Sequence, residues 1–164
     1  MIKLHTAAAA FWLRLLTALL LAPLAALAGP HHGAGEHGAM TSHAGVAGLA
    51  AEVSQTFDIG MLDTMRFAPG KLQFARGETV RFVVRNEGQA EHEIVIGTAE
   101  DIVRHRQAMQ RDPDMAHAAP HMAHVTPGAK EELVWKFDRA GQFEFACLLP
   151  GHYEAGMRGT ITVL

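Results

Sequence analysis

From Val53 onward the chain alternates apolar with polar or small positions at the period of two that a half-buried strand imposes. Val53, Gln55, Phe57 and Ile59 share one phase. Met65, Phe67 and Pro69 make a second run, and Leu72 and Phe74 a third. A turn at Arg76-Gly77-Glu78 leads into Val80, Phe82 and Val84, with Arg81 and Arg85 on the other face, and Asn86-Glu87-Gly88 marks the next turn. His92, Ile94 and Ile96 alternate with Glu93 and Val95, and Leu133, Trp135 and Phe137 with Glu132 and Lys136. After Asp138-Arg139-Ala140-Gly141 come Phe143, Phe145 and Cys147, and the chain closes on Ile161 and Val163. Short strands at this spacing predict an all-β fold, an antiparallel β-sandwich of about seven strands.

One segment has a helical period. Thr98, with Asp101 three residues on, reads as a cap, and Ala99, Ile102, Val103 and Arg106 fall on one side, bounded by Pro113. Asp112 to Gly128 then reads as a loop insert rich in Met, His and Pro, long enough to be functional or disordered.

The first 52 residues lack the strand pattern. Lys3 and Arg14, an apolar run from Leu15 to Ala22, and Ala26-Leu27-Ala28 have the order of a secretory signal peptide over 1–28, with Gly29 as the first mature residue. The apolar stretch is too short and too interrupted by Pro23 for a spanning helix of about 20 residues, so no membrane anchor is expected after cleavage. Residues 29–52 are Gly, Ala and His without apolar periodicity and read as a flexible His-rich tail. The sandwich domain is expected over 53–164, in an exported, periplasmic protein.

Composition narrows the function. Fourteen Lys and Arg against 17 Asp and Glu give a net charge of −3, which argues against nucleic acid as a partner. The single cysteine, Cys147, excludes an internal disulfide and a cysteine-rich zinc module. Eleven histidines and 8 methionines in so short a chain point toward metal.

The chemistry concentrates near the C-terminus. Cys147, His152 and Met157 follow a Cys-x4-His-x4-Met spacing and offer a thiolate, an imidazole and a thioether. Cys147 shares its phase with Phe143 and Phe145 and so faces inward at a strand end. His92, in phase with Ile94 and Ile96, is the best candidate for a fourth ligand. Two imidazoles and a thiolate with a weak thioether suit copper in both oxidation states, whereas zinc has no use for the methionine. Each residue alone has a bland reading: a buried Cys, a loop His, a core Met, a satisfied strand His. Their spacing in one exported β-chain favours the metal reading.

With these residues in place, the sequence resembles the cupredoxins, the type 1 copper proteins. The resemblance covers 53–164 and rests on Met65-Arg-Phe-Ala-Pro69, Gly77-Glu-Thr-Val-Arg-Phe82, His92-Glu-Ile-Val95, Gly141-Gln-Phe-Glu-Phe-Ala-Cys147 and Pro150-Gly-His152 through Met157. It implies a Greek-key sandwich, one type 1 copper held by His92, Cys147, His152 and Met157, and His152 as the electron port. Leu148, Leu149, Pro150 and Tyr153 are expected to form an apolar patch there for a redox partner protein, and the protein is expected to be a monomer. Several cupredoxins carry Asn after the first ligand histidine, where it ties the ligand loops together; here Glu93 stands in that place.

The His-rich segments resemble those of periplasmic copper-tolerance cupredoxins. His31, His32, His37, Met40 and His43 in the tail, and Met109, Met115, His117, His121, Met122 and His124 around the insert, are candidates for additional weak copper. Pro30 has no N–H to give up, so a tail site must use side chains. Two functions share this reading: one-electron transfer, and copper handling in copper tolerance. The alternative is a domain-sized relative of a copper enzyme, a nitrite reductase or multicopper oxidase. Ala146 and Leu148 flank the cysteine where such oxidases commonly place histidines, so no enzyme is expected.

Overall fold

The computed structural model describes residues 41–112 and 119–164. The expected signal segment, the tail residues His31, His32, His37 and Met40, and the insert residues Met115 and His117 lie outside the described residues.

The strands are β1 (Val46–Ala47), β2 (Val53–Leu62), β3 (Arg66–Ala68), β4 (Lys71–Phe74), β5 (Thr79–Asn86), β6 (His92–Gly97), β7 (Met122–Val125), β8 (Lys130–Lys136), β9 (Gly141–Ala146) and β10 (Arg158–Val163), with helix α1 (Ala99–Arg111) between β6 and β7. They form two five-stranded sheets, ordered β1-β8-β5-β2-β3 and β4-β10-β9-β6-β7. The all-β class with one short helix is therefore observed, but the sheets are mixed and not wholly antiparallel. β2 runs parallel to β5, and β10 parallel to β4. Period-two alternation reports which face a side chain takes and not the direction of the neighbouring strand.

Apolar residues from both sheets meet in one core that includes Ile59, Met61, Phe74, Phe82, Ile94, Phe137, Phe145, Cys147, Met157 and Ile161. Aromatic contacts knit it: Phe74 stacks on Phe137 and Phe67 meets Phe145 edge-on, each pair with centroids 5.1 Å apart. A smaller core of Val95, Ile102, Met122, Ala146 and Leu148 packs on the other face of the second sheet, beneath α1. β6 thus has both faces covered, and all six of its residues are buried.

The helix forms where the cap was read. The Asp101 N–H donates to Thr98 Oγ1 (3.1 Å), and the Thr98 N–H donates to Asp101 Oδ2 (2.9 Å). Its buried residues are Asp101, Ile102, His105 and Met109, while Val103 is half exposed. The packed stripe follows i, i+3 and i+4 spacing from Ile102 through His105 to Met109 and leaves Val103 outside it.

Two segments read as unstructured contain strands. Residues 41–52 belong to the folded domain: β1 pairs with β8, placing Val46 opposite Lys136 and Ala47 opposite Trp135, and Ala44 is wholly buried. The His43 N–H donates to Asp101 Oδ2 (2.7 Å), and its Nδ1 lies 2.6 Å from Asp101 Oδ1. Burial opposes ionisation of Asp101, but the hydrogen bonds from His43 and Thr98 outweigh it and hold the carboxyl well below the usual range. In the insert, β7 pairs antiparallel with β6, so that His124 lies opposite Glu93 and Met122 opposite Val95. His121, Met122 and Met109 are buried and fill the interior, which removes them as ready surface ligands. Both strands gain their hydrogen bonds from distant partners, which a Gly/Ala or Met/His composition does not signal.

Candidate metal centre

Three elements converge at one end of the sandwich. His92 opens β6, Cys147 follows β9, and His152 sits on the loop from Cys147 to β10. The loop is shaped by its own sequence. The His152 N–H donates to the Leu149 carbonyl (3.0 Å) across Pro150-Gly151, and Gly151 takes φ +85°, the left-handed turn position that glycine fills without strain. The Met157 N–H then donates to the His152 carbonyl (2.9 Å), and the Cys147 N–H to the Met157 carbonyl (3.0 Å). From outside, Arg66 Nη1 on β3 donates to the Ala155 carbonyl (2.8 Å). Main-chain hydrogen bonds therefore fix Cys147, His152 and Met157 relative to one another.

One potential ligand atom from each of His92, Cys147 and His152 lies within 4.8 Å of the other two. Cys147 Sγ is 3.3 Å from His152 Nδ1, and the two imidazole centroids are 5.2 Å apart. His92, Cys147 and Met157 are wholly buried, while His152 is half-buried. His92 Nδ1 is buried with no hydrogen-bond partner among the described residues, although its Nε2 is 3.3 Å from Asp63 Oδ1. An unpaired buried imidazole nitrogen is costly unless something fills its coordination.

The electrostatics suit donors that ionise or share a lone pair only beside a bound cation. Burial pushes the Cys147 thiol up to about 12, against hydrogen bonds from the Glu93 and Leu149 amides, so the sulfur becomes a thiolate near neutrality only beside a compensating positive charge. Burial, and then the charge of His92, lowers the His152 imidazole below its ordinary value and favours the neutral form that gives a lone pair. The amides of Gln89 and Ala90 lower Asp63. A soft thiolate with two imidazoles, and a buried thioether in the same core, fits copper.

Residues 51–164 match the family described as copper binding proteins, plastocyanin/azurin family. This chain belongs to that family. Among the proteins similar to it are several named copper-resistant cuproprotein CopI. That of Rubrivivax gelatinosus is 50% identical over 133 residues, which cover 81% of this chain and 80% of that protein. That of Pseudomonas aeruginosa is 34% identical over 143 residues, covering 70% and 78%. The solved structure of auracyanin B shares the fold, with a TM-score of 0.61 at 23% identity over 75% of this chain and 96% of that one.

Two residues brace the site: Glu93, which the sequence placed at a loop-tying position without showing that a carboxylate does the tying, and Asp63, which the sequence did not signal. Glu93 is buried; its N–H lies 3.4 Å from Cys147 Sγ, and its Oε1 accepts the Leu148 N–H at 2.7 Å. Its Oε2 is 2.9 Å from His124 Nε2, which raises the His124 imidazole above its ordinary value. Glu93 therefore links the two ligand-bearing segments itself. Asp63 carried no spacing signal, because it reaches His92 from the turn after β2. The expected apolar patch is smaller than its sequence suggests. Leu148 is buried under α1, and Tyr153 packs between the guanidinium groups of Arg106 and Arg158, each 5.1 Å from its ring centroid. Leu149 and Pro150 remain beside His152 at the surface.

Proposed function

We propose that this chain is an exported, periplasmic type 1 copper protein that serves copper tolerance and passes single electrons. The observation that carries the copper site is the buried, unpartnered Nδ1 of His92 in a cluster with Cys147 and His152. His92, Cys147 and His152 would hold the metal, with Met157 as the weak thioether ligand. Bound copper supplies a one-electron Cu(II)/Cu(I) couple. The protein holds its donors in place with main-chain hydrogen bonds and excludes water by burying three of the four. His152, the half-buried member, gives electrons their shortest route to the surface, and Leu149 and Pro150 beside it suit contact with a redox partner protein.

Copper tolerance is supported by the copper-resistant names of the similar proteins from Rubrivivax gelatinosus and Pseudomonas aeruginosa. Additional copper on the tail histidines fits that role, since a pure electron carrier has no need of them. Deleting the gene and growing cells on copper tests the physiological half: copper sensitivity with intact respiration is the expected result. Purified His92→Ala protein tests the chemical half, and it should lose the type 1 signal in electron paramagnetic resonance that His121→Ala retains.

A further inference from the structure

We propose that Asp63 fixes His92 for the metal: its carboxylate holds the Nε2 proton, leaves Nδ1 as the donor nitrogen, and its negative charge biases the bound copper toward Cu(II). This deepens the type 1 copper reading and rests on it.

The geometry has three parts. Asp63 Oδ1 is 3.3 Å from His92 Nε2, while His92 Nδ1 is buried with no hydrogen-bond partner among the described residues. An ionised carboxylate can only accept, so the hydrogen of a neutral imidazole goes to Nε2 and the lone pair to Nδ1. Second, the loop before His92 is wrapped around this carboxylate. Asp63 Oδ2 accepts the Gln89 N–H (2.7 Å) and Oδ1 the Ala90 N–H (3.2 Å). Asn86 pins the same loop: its Oδ1 accepts the Gly88 N–H (2.9 Å), and its Nδ2 donates to the carbonyls of Ala90 (2.7 Å) and Val125 (2.8 Å). Third, Gly88 makes room. A Cβ there would stand 2.0 Å from Asp63 Oδ1 and 2.6 Å from its Cγ, so no other residue lets the carboxylate in undisturbed.

Partners of this kind orient ligand imidazoles and raise their basicity, and a nearby negative charge stabilises the more positive metal state. Asp63 is a positioning residue, since it acts through His92. Its side chain is 43% exposed, so salt screens part of its effect.

The test uses copper-loaded wild-type and Asp63→Asn protein. The amide keeps an acceptor oxygen and loses the charge. The Cu(II)/Cu(I) balance should shift toward Cu(I) by about tenfold, which is about 59 mV upward in reduction potential for one electron, and high salt should shrink the difference. Gly88→Ala, which drives a methyl group into the carboxylate, should move the potential in the same direction. Nitrogen NMR of wild-type Cu(I) protein supplies a readout that needs no variant to fold, and it should show His92 protonated at Nε2. An unchanged potential in Asp63→Asn protein with an intact type 1 signal overturns the inference, as does a metal-bound or unprotonated Nε2 in the wild type. Absence of a type 1 signal in wild-type Cu(II) protein would instead remove the copper reading on which the inference stands.

Discussion

The main-chain N–H of Glu93 lies 3.4 Å from Cys147 Sγ, and the carboxylate of Glu93 accepts the next N–H along the cysteine's own chain, that of Leu148, at 2.7 Å. One residue thus binds the strand that carries His92 to the segment that carries Cys147, through its backbone and its side chain at once.

Glu93→Ala should therefore loosen both segments. It leaves the buried Leu148 N–H without its acceptor, at a cost of about 1–3 kcal/mol, and the absorption spectrum of the copper protein should change with it. Glu93→Gln keeps an acceptor for Leu148 and should lose less. Denaturant midpoints of the two variants against wild type provide the check. Equal losses would mean that the Leu148 hydrogen bond contributes nothing.

Much of this site was legible before any coordinates. Period two placed His92 and Cys147 on inward-facing phases at strand ends, and the Cys-x4-His-x4-Met spacing pointed to His152 and Met157; the structure brings His92, Cys147 and His152 together. The bracing was not legible. Asp63 and Glu93 act across 29 and 54 residues of chain, on His92 and Cys147 respectively, and no local pattern reports such a distance. The pattern of β6 put Glu93 on the phase opposite His92 and does not reveal that α1 and β7 cover that second face and bury it. For the same reason His121, Met122 and Met109 passed for loop ligands when they are interior packing.

The folded boundary at the N-terminus makes a second prediction. A chain beginning at residue 52 lacks the β1–β8 pairing, the buried Ala44 and the His43 hydrogen bonds to Asp101 that a chain beginning at residue 41 retains. The shorter chain should melt several degrees lower, a loss on the order of 1–3 kcal/mol. Identical melting of the two chains would show that this segment adds nothing to the domain.

His121 should make stability fall in mild acid. Burial, reinforced by the charge of His105, pushes its imidazole from 6.5 down to about 4. Between those values the unfolded chain binds a proton that the folded protein refuses, so the stability present above about pH 6.5 declines as pH falls toward 4. The full effect is on the order of 3 kcal/mol. In copper-free protein, His121→Gln should flatten the profile of unfolding free energy over that interval. Parallel profiles for variant and wild type would contradict the assignment.

Met157→Leu should keep the fold, since the swap conserves volume in the core. It should also keep the copper and the colour while raising the reduction potential, because losing a weak donor favours Cu(I). Voltammetry provides the check, and an unchanged potential would place another group in the axial direction.

The central claim is that Cys147 is the thiolate ligand of a type 1 copper. Its most direct test is the visible and electron paramagnetic resonance spectrum of Cu(II)-loaded protein, wild type against Cys147→Ser. The wild type should show an intense sulfur-to-copper charge-transfer band and a type 1 signal. Both should vanish in Cys147→Ser while its circular dichroism remains that of the folded sandwich. A folded Cys147→Ser protein that kept the band would contradict the account.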